Sequence, residues 1–153
     1  CRIGTAKFFT LLLLLYHTQA KTPGLSQIGK RERMYQKTAR GLVPDDFSHE
    51  QSLVLETERG LLIVNCCSHG GVVNIIREVR ETFPGKHVYG YIGGFHLFNK
   101  SDAEIRAVAQ NIRATGLEFV CTGHCTGQRA YDILKQTLGN RLHQLHVGLE
   151  MTF

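Results

Sequence analysis

Apolar and polar positions change period repeatedly along the chain, and each change predicts an element. Residues 52–58 alternate well enough for a half-buried strand, and Arg59-Gly60 turns them into the continuous apolar strand Leu61-Leu62-Ile63-Val64-Asn65-Cys66. Val72, Ile76, Val79 and Phe83 fall on one face at helical spacing, and Pro84-Gly85 stops that helix. Residues 87–92 read as a strand ending at Gly93-Gly94. Ser101-Asp102-Ala103-Glu104 is a capping box, in which serine oxygen and glutamate each satisfy a free amide of the first turn. Ile105, Val108 and Ile112 mark the buried stripe of the helix it opens, and Gly116 ends it. Residues 117–121 form the next strand, Tyr131, Leu134 and Leu138 mark a third helix, and a final strand is expected over 142–149. The order strand, strand, helix, strand, helix, strand, helix, strand defines an α/β architecture with helices covering a sheet.

Before these elements the text is less regular. The nine-residue run Phe8-Phe9-Thr10-Leu11-Leu12-Leu13-Leu14-Leu15-Tyr16 is far shorter than the roughly 20 residues a membrane-spanning helix needs. Arg2 and Lys7 ahead of it and Thr18-Gln19-Ala20 behind it resemble a secretory signal; a core strand or helix, or a non-native leader left by truncation, are the alternatives. Residues 1–20 are therefore read as a leader and 21–153 as one domain. Between Lys21 and Pro44 the chain is polar and basic, a loop with a short strand.

At 153 residues with 42% apolar and 20% charged positions, the chain is an ordinary single domain rather than a disordered one. The formal net charge of +5 suits anionic partners. Lys30, Arg31, Arg33, Lys37 and Arg40 are interleaved with one aromatic, Tyr35, so a solvated basic loop is preferred over a nucleic-acid surface. The five cysteines, at 1, 66, 67, 121 and 125, are odd in number and lack secreted-scaffold spacing, which favours a reducing, cytoplasmic compartment over a disulfide framework. A secreted location is the alternative should residues 1–20 be a signal.

Ligands of open α/β sheets gather beyond the carboxyl ends of strands. Three such loops here carry a histidine: Asn65-Cys66-Cys67-Ser68-His69-Gly70-Gly71, Gly93-Gly94-Phe95-His96-Leu97 and Gly123-His124-Cys125-Thr126-Gly127. Neutral imidazole is the commonest metal ligand, and successive loops can build a site that no single loop can. His69 and His124 are the expected metal ligands. His96 either binds metal or polarises substrate, and Cys67 is a thiolate ligand or small core packing. Cys125 is read as packed behind the site and Cys121 as core. Ser68, Gly70 and Gly71 open a helix whose free amides favour an anion. In Pro44-Asp45-Asp46-Phe47-Ser48-His49-Glu50, the aspartates either cap local amides or, with Asp45 or Asp46 orienting a ligand, close one wall of the site.

Pro44-Asp45-Asp46-Phe47 with Glu50-Gln51, Cys67-Ser68-His69, Gly93-Gly94-Phe95-His96-Leu97 and Gly123-His124-Cys125-Thr126-Gly127 together resemble one family. It is the metallo-β-lactamase-fold metallohydrolases, in the dihydropterin-ribofuranosylaminobenzene-phosphate synthase-like branch, and the match runs from about Gly29 to Phe153. The resemblance implies an αββα sandwich and one or two metal ions, usually zinc, with another divalent metal as the alternative. It makes His124 the late metal-binding histidine and places His69, with Cys67 close by, in the middle motif; His96 lines the site. The family's early His-x-His-x-Asp-His loop has no counterpart among the eight histidines. The sequence is thus similar to the C-terminal half of the sandwich, a truncated form without most ligands and without the water-orienting aspartate. The expected function is a zinc-dependent hydrolase acting on a small anionic metabolite. The alternatives are a non-catalytic fragment that serves a partner, and a basic nucleic-acid-binding domain. No membrane span is expected, and the oligomeric state is left open.

Overall fold

The computed structural model describes residues 16–17, 34–45, 47 and 49–153. Eight strands and three α-helices follow in the order β1 (Tyr16–His17), β2 (Tyr35–Thr38), β3 (Gly41–Pro44), β4 (Gln51–Thr57), β5 (Gly60–Asn65), α1 (Val72–Thr82), β6 (Val88–Ile92), α2 (Asp102–Ala114), β7 (Phe119–Thr122), α3 (Gln128–Leu138) and β8 (Leu142–Gln144). A six-stranded sheet runs β1-β4-β5-β6-β7-β8, and β2-β3 is a separate hairpin. β4 is antiparallel to β1 and β5, whereas β5 to β8 are mutually parallel. Each parallel step advances one strand in the same direction, so right-handed crossovers bring α1, α2 and α3 to one face. The mixed sheet with its helical layer bears out the α/β expectation, element by element from β4 to α3.

Alternation sorts the sheet residues between two cores. On the helical side Val54, Leu61, Ile63, Val88, Tyr91, Val120 and Leu142 meet the stripes of the helices. Those stripes are Val72, Ile75, Ile76 and Val79 on α1 and Ile105, Val108, Ala109 and Ile112 on α2, both at the i, i+3, i+4, i+7 spacing of an amphipathic helix. Each large side chain buried this way stabilises the fold by about 1.5–3 kcal/mol. On the other face Leu55, Leu62, Tyr89, Ile92, Phe119 and Cys121 form a smaller core, against which Leu145, Leu149, Met151 and Phe153 pack. The capping box forms at α2: Ser101 Oγ accepts from Glu104 N, and Glu104 Oε2 accepts from Ser101 N at 2.8 Å.

One irregularity re-aims a side chain. Leu61 pairs with Val88 but Leu62 pairs with Gly90, so Tyr89 is an extra residue in β6. A bulge of this kind reverses the facing of everything beyond it. Tyr91 consequently turns to the helical face, and Ile92 to the other.

The N-terminal expectations fare differently. Tyr16 and His17 pair with Ser52 and Gln51 at the edge of the sheet, while the remainder of the apolar run lies outside the described residues. The basic segment ends in a hairpin, with Thr38 Oγ1 donating to Gly41 O at 2.9 Å to close its turn. The last strand is shorter than expected. It stops at Gln144 because Leu145 N bonds back to Thr122 O and the chain then crosses the second core. His143 lies on β8, stacked on Phe119 at 4.8 Å, whereas His146 is in the following loop. No helix among the described residues is long and apolar enough to cross a membrane.

Glu78 on α1 has a buried carboxyl oxygen with no hydrogen-bond partner among the described residues. Burial first, and then neighbouring Glu81, pushes its carboxyl up to about 7 from an ordinary 4.5. The folded chain therefore holds this proton to higher pH than the unfolded chain does. Stability from this group is present below about 4.5 and is lost as pH rises through 7. Glu78→Gln is expected to raise the urea midpoint above the parent's at pH 8 and to match it near pH 5. An equal difference at both pH values would contradict the assignment.

Candidate metal centre at the carboxyl edge of the sheet

Three loops leave the carboxyl ends of β5, β6 and β7 and are tied to one another by backbone and hydroxyl groups. Gly94 N donates to Cys66 O at 2.7 Å, and Leu97 N to Cys125 O at 3.1 Å. Ser68 Oγ donates to Gly94 O at 2.6 Å, so its 2.7 Å contact with Tyr91 uses the tyrosine's proton. On the other side Phe95 N donates to Thr126 Oγ1, Thr126 to Thr122 Oγ1, and Thr122 to Gly93 O at 2.7 Å. All four hydroxyl residues are buried. Burial also pushes the Tyr91 hydroxyl far above its ordinary value, which keeps it a neutral donor.

Glycine is required where the loops touch. A Cβ on Gly94 would stand 2.5 Å from Cys125 Sγ and 2.9 Å from Cys66 O. A Cβ on Gly123 would stand 2.5 Å from Leu145 O. Among the described residues the non-glycine ones at positive φ are Phe47 (55°), Ser68 (57°), His96 (49°) and His124 (51°). A left-handed backbone costs such residues of order 1–3 kcal/mol each, and it persists where the surroundings over-determine it, typically at functional sites. Here all four lie on segments that meet at this edge.

The structure brings most of the expected site residues together, in two groups. His69 and His96 have ring centroids 4.3 Å apart. Phe47 stacks on the other side of His69 at 4.1 Å and 12°, and Phe98 meets His96 edge-on at 5.1 Å. In the second group, ligand atoms of Cys67, His124 and Cys125 all lie within 4.8 Å of one another. His69 and His96 are not in that set, so the three imidazoles do not share one cluster of this tightness among the described residues. Cys125, expected to pack behind the site, stands within it. Cys121 is buried in β7, as expected. Burial pushes the Cys125 thiol up to about 12 and the Cys121 thiol up to about 11, so both are neutral at pH 7 without an ion. Cys66, Cys67, Cys121 and Cys125 are all free thiols.

The amides that opened α1 to an anion already have one. Glu50, itself buried, accepts His69 N at 2.6 Å and Gly70 N at 2.7 Å through its two carboxylate oxygens. Gly71 N bonds to Ser68 O, and Ser68 N to Asn65 Oδ1 at 3.0 Å. Of the amides expected to take an anion, Gly70 N thus meets the chain's own carboxylate, while Ser68 N and Gly71 N are taken by neutral oxygens of the same loop. Asp45 acts locally, as an aspartate of a turn does: its Oδ1 accepts Phe47 N at 2.9 Å and stands 3.7 Å from His49 Nδ1. This turn seats Phe47 against His69, and the segment forms a wall beside the histidine pair. Asp46 lies outside the described residues. Sequence reasoning marked the segment of Glu50 and Phe47 but not the part either plays, and it missed Tyr91. Glu50 had a faint signal as an acidic residue just before an apolar strand, whereas Tyr91 had none, because the bulge that aims it is a property of the sheet.

The donor chemistry fits a divalent metal: imidazoles and thiols from separate loops, at the strand ends, with glycines admitting close approach. The class follows from fold and site together. Across three quarters of its length the chain shares the fold of a metal-dependent hydrolase of the beta-lactamase superfamily. No family model matches the chain. The crystal structure of Tm1679, a metal-dependent hydrolase of the beta-lactamase superfamily, superposes with a TM-score of 0.70 at 36% identity, covering 75% of this chain and 44% of that one. A 7,8-dihydropterin-6-methyl-4-(beta-D-ribofuranosyl)-aminobenzene-5'-phosphate synthase of Methanocaldococcus jannaschii is 33% identical over 112 residues, 73% of this chain and 38% of that protein. An uncharacterized protein of the same organism is 29% identical over 106 residues, 69% of this chain and 38% of its own length. The chain thus spans less than half the length of these relatives.

Replacing Glu50 tests how the first loop is held. Each of its two hydrogen bonds has a charged acceptor, a type that contributes about 1.5–3 kcal/mol. Glu50→Ala is expected to lower stability by about 3 kcal/mol or more in urea denaturation. A change within about 0.5 kcal/mol, as at ordinary surface sites, would show that the loop does not depend on it.

Proposed function

We propose that this chain is part of a zinc-dependent hydrolase acting on a small anionic metabolite. The observation that carries the proposal is the meeting of His69 and His96, from the β5 and β6 loops, with ring centroids 4.3 Å apart beside the loop of His124. Positive φ at His96 and His124 is a conformational cost of the kind that persists at functional sites. The likeness to Tm1679 supports a metal-dependent hydrolytic reaction. The 5'-phosphate in the name of the Methanocaldococcus jannaschii relative supports an anionic substrate. The free thiols support a reducing compartment.

In this reading His69, His96, His124 and Cys67 supply ligands for one or two metal ions. When bound, the metal polarises the scissile group and lowers the pKa of a water molecule towards neutrality. The chain's own residues prepare the place. Glu50 fixes the backbone of His69 by taking its amide and the next one. Asp45 positions Phe47, whose ring covers one side of the His69 imidazole and excludes water from it. Ser68 and Tyr91 hold the first loop on the second, and Thr122 and Thr126 hold the second on the third. His96, half-buried beside His69 and Phe98, serves as metal ligand or as a donor to the substrate.

Elemental analysis of the purified chain is expected to find zinc. His69→Ala and His124→Ala should weaken its retention beyond the roughly 10–100-fold that losing an outer-shell partner costs. Unchanged metal content in both variants would remove the proposal. Chelation should abolish any hydrolysis of small phosphorylated or carboxylated esters, and zinc should restore it.

A further inference from the structure

We infer that Cys67 and Cys125, together with His124, form a thiolate-rich ion site, in which both sulfurs bind the metal directly. The inference deepens the functional proposal and rests on its premise that the chain holds a metal. It adds that the ion is a borderline-soft one taken through sulfur, and that Cys125 is a ligand.

Ligand atoms of the three residues lie within 4.8 Å of one another, although Cys67 is 57 positions before His124 in the chain. Two independent features hold them there. Cys125 Sγ sits where a Cβ on Gly94 would come to 2.5 Å, so glycine at that position makes room for the sulfur, and the sulfur reaches to 4.0 Å from Cys67 O. The backbone is left-handed at His124 (φ 51°) and at Ser68 (φ 57°), the residue after Cys67, in the two loops that supply the cluster. A buried free cysteine that serves only as packing needs neither device. Cys121 shows the contrast: it is fully buried in β7 and belongs to no such cluster among the described residues.

The donor set decides the ion. Two sulfurs and one imidazole suit zinc, cobalt or another borderline-soft ion, whereas magnesium and calcium require oxygen ligands. Three protein ligands leave a fourth position for water or substrate, the arrangement of catalytic rather than structural zinc. His124 is the exposed member of the set and both cysteines are partly buried, so an incoming molecule reaches the site from the His124 side.

The test uses cobalt as a spectroscopic probe on the whole chain, reduced and free of oxygen. Cobalt bound through sulfur gives an intense thiolate-to-metal charge-transfer absorption in the near ultraviolet, which imidazole and carboxylate ligands do not. The wild-type chain is expected to show this band on titration with cobalt, and zinc but not magnesium should displace it. Cys67→Ser and Cys125→Ser should each lose about half of its intensity, and the double variant all of it. A second measurement needs no variant: zinc should slow alkylation of Cys67 in the wild-type chain while exposed Cys66 stays reactive. Cobalt bound without the band, or a band that survives in the double variant, overturns the inference and leaves the functional proposal standing. Failure of the wild-type chain to bind cobalt or zinc at all overturns both.

Discussion

Four buried hydroxyls hold the carboxyl edge of this sheet together, and the candidate site exists only as long as they do. Ser68 and Tyr91 join the first loop to the second, and Thr122 and Thr126 join the second to the third. In such surroundings an unpaired hydroxyl is costly, so a network with every member satisfied admits few other arrangements. Its partners include the carbonyls of Gly93 and Gly94, the residues at which β6 ends. The loops are thereby fixed to the rigid strands and not merely to each other. Rigid placement is what a metal centre assembled from distant parts of a chain requires.

The same edge stores strain. Ser68, His96 and His124 stand at positive φ in the three loops, and Phe47 does so in the wall beside them. The hydroxyl network and the Glu50 carboxylate offset that strain, each acting on backbone groups within a residue or two of a strained position. Glu50 illustrates how economical the arrangement is. One carboxylate satisfies two amides of the loop just before α1, lies by the positive end of that helix, and orients the backbone that carries His69. The amides that looked available to a substrate are thus part of the scaffold, and recognition falls to side chains.

Much of the architecture was legible because it depends on local period. The stripes of α1 and α2, the apolar run of β5 and the capping box at Ser101 each carry their signal within a dozen residues. The histidine-bearing loops were legible for a related reason, since a loop following a strand in an α/β chain must emerge at the carboxyl edge. β8 was overread: Leu145 to Leu149 keep an apolar character because they pack on the second core, and apolar character alone does not separate a strand from a covering loop. Cys125 was placed behind the site because its neighbour His124 seemed the better ligand. Adjacent residues point apart in a strand, but here the backbone is left-handed at His124, and both side chains serve one cluster.

By itself the sequence determined the succession of elements, the helical faces and the three loops rich in glycine and histidine, because each is set by residues near one another in the chain. Tertiary structure decided which of those loops' side chains meet. The bulge at Tyr89 turned Tyr91 towards Ser68, Glu50 took the amides of His69 and Gly70, and the packing of Gly94 against Cys125 put sulfur beside His124. The physical reason is that these contacts span about 20 to 60 positions of sequence and rest on sub-ångström clearances between loops, which no local pattern of residues encodes.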